Sequence, residues 1–340
     1  MQQKQLQALI LTEGSKDIGF GHITRMQSLY EELKSRGYSL SFVIQGDETV
    51  GEILPNITYQ ILDWRTKETC ITLLEKTQPD FVIVDSYKAD LALYEIISKQ
   101  SLLVSMDDTN RLAYPAGIVL KPTEDETRQS DKKNVQWLSG KKYTLLRHAF
   151  SQVTKKNTKK DISTIFVTFG GDDIRELTPL VIRVLQEKNP QSKKIIIVGN
   201  GFAQREKEEI KILSQKDQTI KPIYNATASD MKKSMEISDI VISAAGQTLN
   251  ECAVTGSPTI AVGVADNQRT HFASFEKTRF LISAGWVLRD TDKKKFADTL
   301  ATALHKIKDP ALRKEQSVLG QKLIDGLGAK RIIDSILNNL

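Results

Sequence analysis

The sequence predicts an α/β protein built from two doubly wound parallel sheets. Three observations carry that expectation. Short apolar segments alternate with amphipathic ones along the whole chain. The apolar segments are near-continuous rather than alternating, as in strands covered on both faces. The pattern also stops once, at a polar stretch near the middle, and then restarts. A length of 340 residues suits two domains of about 100–200 residues each.

The elements follow in order. Residues 7–11 (QALIL) read as the first strand, a Gly-containing loop follows, and residues 22–36 are amphipathic with Gly37 where a C-cap glycine belongs. Residues 39–44 (SLSFVI), 81–84 (FVIV) and 102–106 (LLVSM) continue the strand series, with helical segments at 67–76 and 90–99 between them. Residues 151–161 (SQVTKKNTKKD) hold one apolar residue, Val153, and read as a linker between domains 1–150 and 162–340. Beyond it the strands are 164–169 (TIFVTF), 195–198 (IIIV), 239–242 (DIVI) and 259–262 (TIAV), with helix from 293 onward whose last segment is free to cross back. In such sheets ligands sit outside the carboxyl ends of the strands, so the cleft between the two domains is the expected site.

Composition narrows the function classes. Hydrophobic residues at 40% and charged residues at 26% exclude disorder as the main state. No apolar run reaches the roughly 18–20 residues of a membrane span, and the first 15 residues lack a signal-peptide pattern. Cys70 and Cys252 make neither a disulfide framework nor a metal-ligand spacing, so a reducing cytoplasm is the default compartment. A net charge of +6 comes from scattered lysines, among them Lys132–Lys133, Lys141–Lys142 and Lys293 to Lys295. Without a basic stripe interleaved with aromatics, nucleic acid is not expected as a partner.

Two glycine loops carry the chemistry. The first, residues 13–25, reads EGSKDIGFGHITR between the first strand and the first long helix. Gly19 and Gly21 allow close backbone approach, and the helix start offers free N–H groups. Thr24 stands where a dinucleotide fingerprint needs its third glycine, which argues against a nicotinamide cofactor. His22 sits at the helix start, at a strand's carboxyl end. The second loop, residues 243–251, reads SAAGQTLNE. Its small residues, Ala245 and Gly246 among them, let backbone approach a phosphate ahead of Gln247 and Thr248, and Glu251 is placed to accept hydrogen bonds from a ribose diol. Gly170–Gly171 and Asn267–Gln268 follow two further strands at the same edge.

Residues 13–44, together with Asp85-Ser86-Tyr87, Asp107–Asp108, residues 143–150 (YTLLRHAF) and 169–173 (FGGDD), resemble the UDP-2,4-diacetamido-2,4,6-trideoxy-altropyranose hydrolases of pseudaminic acid biosynthesis and the related spore-coat polysaccharide proteins. Residues 223–268 also look like the nucleotide half of the lipid-II-forming N-acetylglucosaminyltransferase. The resemblance spans nearly the whole chain. It implies two Rossmann-like domains in the glycosyltransferase B arrangement, with UDP held mainly by the second. By position it makes His22 the catalytic base and puts Gly246, Gln247 and Thr248 on the diphosphate. Glu251 goes to the ribose, and the backbone at Ile223–Tyr224 to the uracil. Gly19, Gly21, Arg25, Asp85, Tyr87, Asp108, Gly170, Gly171, Ala245, Asn267 and Gln268 complete the substrate-binding set. Two positions depart from the pattern: Lys121–Pro122, where an Asn is usual, and the second acid of Asp172–Asp173. Both bear on which sugar is taken.

The implied reaction is water attack at the anomeric carbon, with inversion and release of UDP. A histidine suits the general base, and preorganised N–H groups meet the charge that develops on the diphosphate. No metal or other cofactor is called for. Asp107–Asp108 read as sugar contacts or loop hydrogen bonders, because adjacent acids in a strand face opposite ways. His148, His271 and His305 read as structural or surface residues. The alternative is a transferase of the same fold that uses a sugar or lipid hydroxyl in place of water. A UDP-sugar is the expected partner, and a monomer the default state.

Overall fold

The computed structural model describes residues 6–15, 19–54, 56–109, 111–122 and 134–340. Lys16, Asp17 and Ile18 of the first glycine loop, and Lys132–Lys133, lie outside the described residues. The chain divides into two compact units, residues 1–151 with 326–340, and residues 152–325.

The first unit runs β1 (Gln7–Gly14), α1 (Gly21–Ser35), β2 (Ser39–Gly46), α2 (Val50–Ile53), β3 (Gln60–Ile61), α3 (Lys67–Thr77), β4 (Phe81–Asp85), α4 (Leu91–Ser98), β5 (Leu102–Met106), β6 (Gly117–Lys121) and β7 (Val135–Ser139). Its parallel sheet has the order β3-β2-β1-β4-β5-β6-β7, so the winding reverses between β1 and β4. Period-two alternation places Ala8 and Ile10 of β1 in one core with Ile23, Met26 and Leu29 of α1. Leu9 and Leu11 fall in another, with Leu74 of α3 and Leu93 and Tyr94 of α4. Both faces are therefore apolar, which is why these strands read as continuous hydrophobic runs. Helix α1 ends at Gly37, whose φ of +79° and N–H to Lys34 O, with Tyr38 N–H to Leu33 O, form the left-handed cap its position suggests.

The second unit runs β8 (Thr164–Thr168), α5 (Thr178–Lys188), β9 (Lys193–Val198), α6 (Gln204–Lys216), β10 (Ile220–Tyr224), α7 (Ala228–Ile237), β11 (Ile240–Ala244), α8 (Thr248–Val254), β12 (Thr259–Gly263), α9 (Arg269–Glu276), β13 (Leu281–Trp286), α10 (Lys293–Lys306) and α11 (Pro310–Leu323). The sheet order is β10-β9-β8-β11-β12-β13, all parallel, with the reversal between β8 and β11. Helix α12 (Gly328–Leu337) belongs to the first unit, where Ile332, Ile333 and Ile336 enter the core beside α1.

The Lys-rich stretch read as a linker is docked on the second unit. Lys156 Nζ donates to three carbonyls at the C-terminus of α7, Met235 O at 2.6 Å, Glu236 O at 2.8 Å and Ser238 O at 2.6 Å. The fully buried Arg313 guanidinium holds Lys159 O and Lys160 O at 2.9 and 2.7 Å. One lysine of the stretch caps α7 and its backbone is held by Arg313, while Lys155, Lys159 and Lys160 are exposed.

Candidate functional site

In the first unit the site residues meet at the winding reversal. Thr12 and Asp85 are register partners across β1 and β4, and Thr12 Oγ1 donates to Asp85 O at 3.1 Å. The chain leaves β1 through a loop closed by Gly19 N–H to Ser15 O at 2.8 Å, with Gly19 at φ +86°. Helix α1 then starts at Gly21, so His22 projects from its first turn toward the end of β4. His22 Nδ1 is 2.7 Å from Asp85 Oδ1. Arg25 Nη2 also stands 3.0 Å from Nδ1, but takes Asp85 Oδ1 as its acceptor at 2.6 Å. Asp85 carries no proton to donate, so Nδ1 donates to it and, in the neutral ring, Nε2 is the acceptor nitrogen. Nε2 has no hydrogen-bond partner among the described residues.

Arg25, one turn along α1, completes the cluster. Its Nη2 donates to Asp85 Oδ1 at 2.6 Å, its Nε to Asp85 Oδ2, and its Nη1 to Asp108 Oδ2. Asp85 is 1% exposed. Burial opposes its charge, but Arg25 and the His22 hydrogen bond outweigh burial and bring its carboxyl down to about 2. The same burial acts against the Arg25 guanidinium, and Asp85 and Asp108 hold its pKa above the ordinary value. Tyr87 packs its ring edge-on against His22, with centroids 4.5 Å apart, and donates its hydroxyl to Asp108 Oδ2 at 3.1 Å. Burial first, then Asp108, pushes the Tyr87 phenol up to about 12, so it stays a donor at neutral pH.

Asp107 and Asp108 follow β5 rather than lie within it. They still diverge: Asp107 is buried and accepts from Thr109 N–H at 2.9 Å, while Asp108 faces Arg25 and Tyr87.

In the second unit the expected residues line the carboxyl ends of neighbouring strands. Gly170, at φ +85°, and Gly171 follow β8 with open space where a Cβ would sit. Gly171 O accepts from Gly201 N–H at 3.0 Å, and a Cβ on Gly199 would come 2.1 Å from the same oxygen, so the loop after β9 fixes this turn by close backbone contact. Ala245 N–H extends the β11 ladder to Val262 O. Gly246 precedes the seven-residue α8, and its Cβ position is 3.7 Å from Gln268 Nε2. Gln268 Oε1 accepts from Val264 N–H at 2.9 Å, which turns its amide N–H₂ toward the glycine loop. Gln247 is exposed and accepts from Asn250, Asn267 is exposed in the turn after β12, and Glu251 is buried on α8. Ile223 and Tyr224 end the edge strand β10, with Tyr224 46% exposed. Asp173 is a structural acid: its carboxylate accepts from Leu177 N–H, Thr178 N–H and Thr178 Oγ1 at the start of α5.

The structure thus brings His22, Arg25, Asp85, Tyr87 and Asp108 together in one unit, and Gly246 with Gln268 in the other. Asp85, expected among the sugar contacts, has both oxygens engaged by His22 and Arg25. Sequence reasoning missed that pairing, and it missed Glu13 beneath it. The available signal was the order of the elements: in a doubly wound sheet the ends of β1 and β4 flank the winding reversal. Among the described residues no group of three or more His, Cys, Asp or Glu could hold a metal ion, and no helix is long and apolar enough to cross a membrane.

Residues 164–332 match the glycosyltransferase family 28 C-terminal domain. The spore coat polysaccharide biosynthesis protein SpsG of Bacillus subtilis is 24% identical over 350 residues, covering 97% of each chain. The uncharacterized protein MJ1062 of Methanocaldococcus jannaschii is 25% identical over 284 residues, covering 79% of this chain and 58% of that one, so this chain spans little more than half of that relative. Among solved structures, MurG of Acinetobacter baumannii aligns with a TM-score of 0.69 at 13% identity, over 98% of this chain and 99% of that one. UDP-GlcNAc 2-epimerase of Neisseria meningitidis, bound to UDP-GlcNAc, aligns at 0.62 and 13% identity, over 98% and 100%. The fold is therefore that of the glycosyltransferase B proteins, two parallel-sheet Rossmann-like α/β domains.

Proposed function

We propose that the chain is a hydrolase of a UDP-linked amino-deoxy sugar, acting in pseudaminic-acid-type surface polysaccharide biosynthesis. The observation that carries this reading is the His22–Asp85 pair, 2.7 Å apart, with Nε2 as the acceptor. Such a nitrogen takes a proton from water. The water oxygen bonds to the anomeric carbon as the bond from that carbon to the diphosphate oxygen breaks, the electron pair leaves with UDP, and the centre inverts. The proton on Nε2 is then released to solvent. The Asp85 carboxylate stabilises the imidazolium that forms transiently.

UDP falls to the second unit in this reading. Gly246, Gln247 and Thr248 face the diphosphate, Glu251 the ribose, Ile223 and Tyr224 the uracil, and Asn267 and Gln268 the phosphates or sugar. Support comes from the family 28 match over this unit and from the fold shared with an epimerase bound to UDP-GlcNAc. Arg25, Tyr87 and Asp108 present polar groups beside His22 to the sugar. The second reading, a UDP-sugar-dependent glycosyltransferase, draws on the same family match and on the likeness to MurG.

A panel of UDP-sugars incubated in ¹⁸O-water, with and without acceptors, tests the proposal. Hydrolysis should place the label on the sugar and none on UDP. Label on UDP means attack at phosphorus and rejects the mechanism. Turnover only with an added acceptor selects the transferase. His22→Asn should lower turnover about 10²–10⁴-fold with UDP affinity nearly unchanged.

A further inference from the structure

We propose that Glu13 is a positioning residue for the histidine base, acting through the Asp85–Tyr87 turn. The inference rests on the reading of His22 given above. Glu13 lies near the end of β1 and is 1% exposed. A carboxylate buried this deeply is costly unless its oxygens are satisfied. Both are bonded to one short stretch of chain: Oε1 accepts from Tyr87 N–H at 2.8 Å, and Oε2 accepts from Ser86 Oγ at 2.7 Å. Arg65 Nη1 stands 3.5 Å from Oε2 and supplies the countercharge. Ser86 Oγ in turn accepts from Lys88 N–H and Ala89 N–H, both at 3.0 Å. The turn from Ser86 to Ala89 is therefore built around a single carboxylate.

That turn holds two of the side chains that touch His22. Asp85 fixes Nδ1, and the Tyr87 ring packs T-shaped against the imidazole with centroids 4.5 Å apart. The β-ladder secures the chain only as far as Asp85, through its pairing with Thr12. Beyond that residue the backbone of the turn is held by Glu13 and by Arg111 Nη2, which donates to Ser86 O at 3.2 Å, while the Tyr87 hydroxyl is held at its far end by Asp108. Removing the carboxylate takes the acceptor from Tyr87 N–H and from the Ser86 hydroxyl together, and loosens both the Tyr87 ring packed on the imidazole and the turn that follows Asp85. Glu13 touches no expected substrate group; its effect passes through Asp85 and Tyr87.

The test uses the full chain. Glu13→Ala, Glu13→Gln and Ser86→Ala are compared with the parent by thermal unfolding, by steady-state kinetics with the UDP-sugar turned over by the parent, and by ¹⁵N NMR of the ligand-free His22 ring. In the parent the ring should report a single tautomer with hydrogen on Nδ1. Folded Glu13→Ala should show a mixed tautomer signal and a kcat lower by about 10²-fold at unchanged KM. Ser86→Ala, which removes one of the two bonds, should shift both readouts less in the same direction, and it decides the matter if Glu13→Ala does not fold. Glu13→Gln, which retains an acceptor for Tyr87 N–H, should fall between Glu13→Ala and the parent. An unchanged His22 spectrum in folded Glu13→Ala, or in Ser86→Ala if it stands alone, overturns the proposal. The NMR arm reads Glu13 whether or not any UDP-sugar is turned over, so failure of the hydrolase reading and failure of this inference are separate results.

Discussion

His22 and Asp85 are 63 positions apart in sequence, yet they form a buried 2.7 Å hydrogen bond because β1 and β4 are neighbours in the first sheet. The bond assigns the hydrogen of the neutral imidazole to Nδ1, which leaves Nε2 as the acceptor that the proposed hydrolysis uses. Arg25 and His22 keep the Asp85 carboxylate ionised, with its carboxyl brought down to about 2.

Asp85→Asn tests that assignment. An amide N–H facing Nδ1 favours the opposite tautomer, with hydrogen on Nε2, and removes the base. Turnover should fall by on the order of 10³–10⁴-fold, while calorimetry shows UDP affinity within a factor of two or so. A loss confined to KM would move Asp85 to a binding role.

Glu251→Ala should weaken UDP by roughly 1.5–3 kcal/mol, the range for a hydrogen bond to a charged group. Calorimetry in EDTA reads this directly. UDP binding that needs a divalent cation, or that ignores the substitution, would remove Glu251 from the ribose.

Glu206 gives the second unit an alkaline limb. Burial first, then the neighbouring Asp173, with Glu176 and Glu209 adding repulsion, raises its pKa from 4.5 to about 9. A value raised on folding means that the native state holds a proton that the unfolded state has lost. Its contribution to stability is complete below about 4.5 and is lost as pH rises through about 9. Glu206→Gln should flatten the decline of denaturant midpoint between neutral pH and pH 10. An unchanged slope would show that Glu206 ionises freely in the native protein.

Lys156→Met should destabilise the second unit by about 1.5–3 kcal/mol, because three carbonyls at the end of α7 lose a charged donor. Faster amide exchange should appear first at Ser234 to Ser238. Equal exchange in both proteins would mean that solvent replaces the lysine at no cost.

The sequence by itself determined the parts of this protein that depend on local pattern. Continuous apolar strands such as FVIV and TIAV declared a sheet covered on both faces, and the glycine loops declared where strands give way to helices at the carboxyl edge of each sheet. Strands at or near the sheet edges were hidden. Pro222 interrupts β10, Gly285 interrupts β13, and β7 (VQWLS) mixes polar with apolar residues, because an edge strand needs neither a full set of ladder N–H groups nor two buried faces. Tertiary structure alone decided three further things. It seated Lys156 and Arg313 on backbone carbonyls, turning a stretch that reads as a tether into a docked strap. It carried α12 back to the first unit to bury Ile332, Ile333 and Ile336. It also turned Asp85 from an expected sugar contact into the partner of His22. The physical reason is common to all three: burial energy and hydrogen-bond satisfaction act on groups brought close in space, and their separation along the chain leaves no local pattern to read.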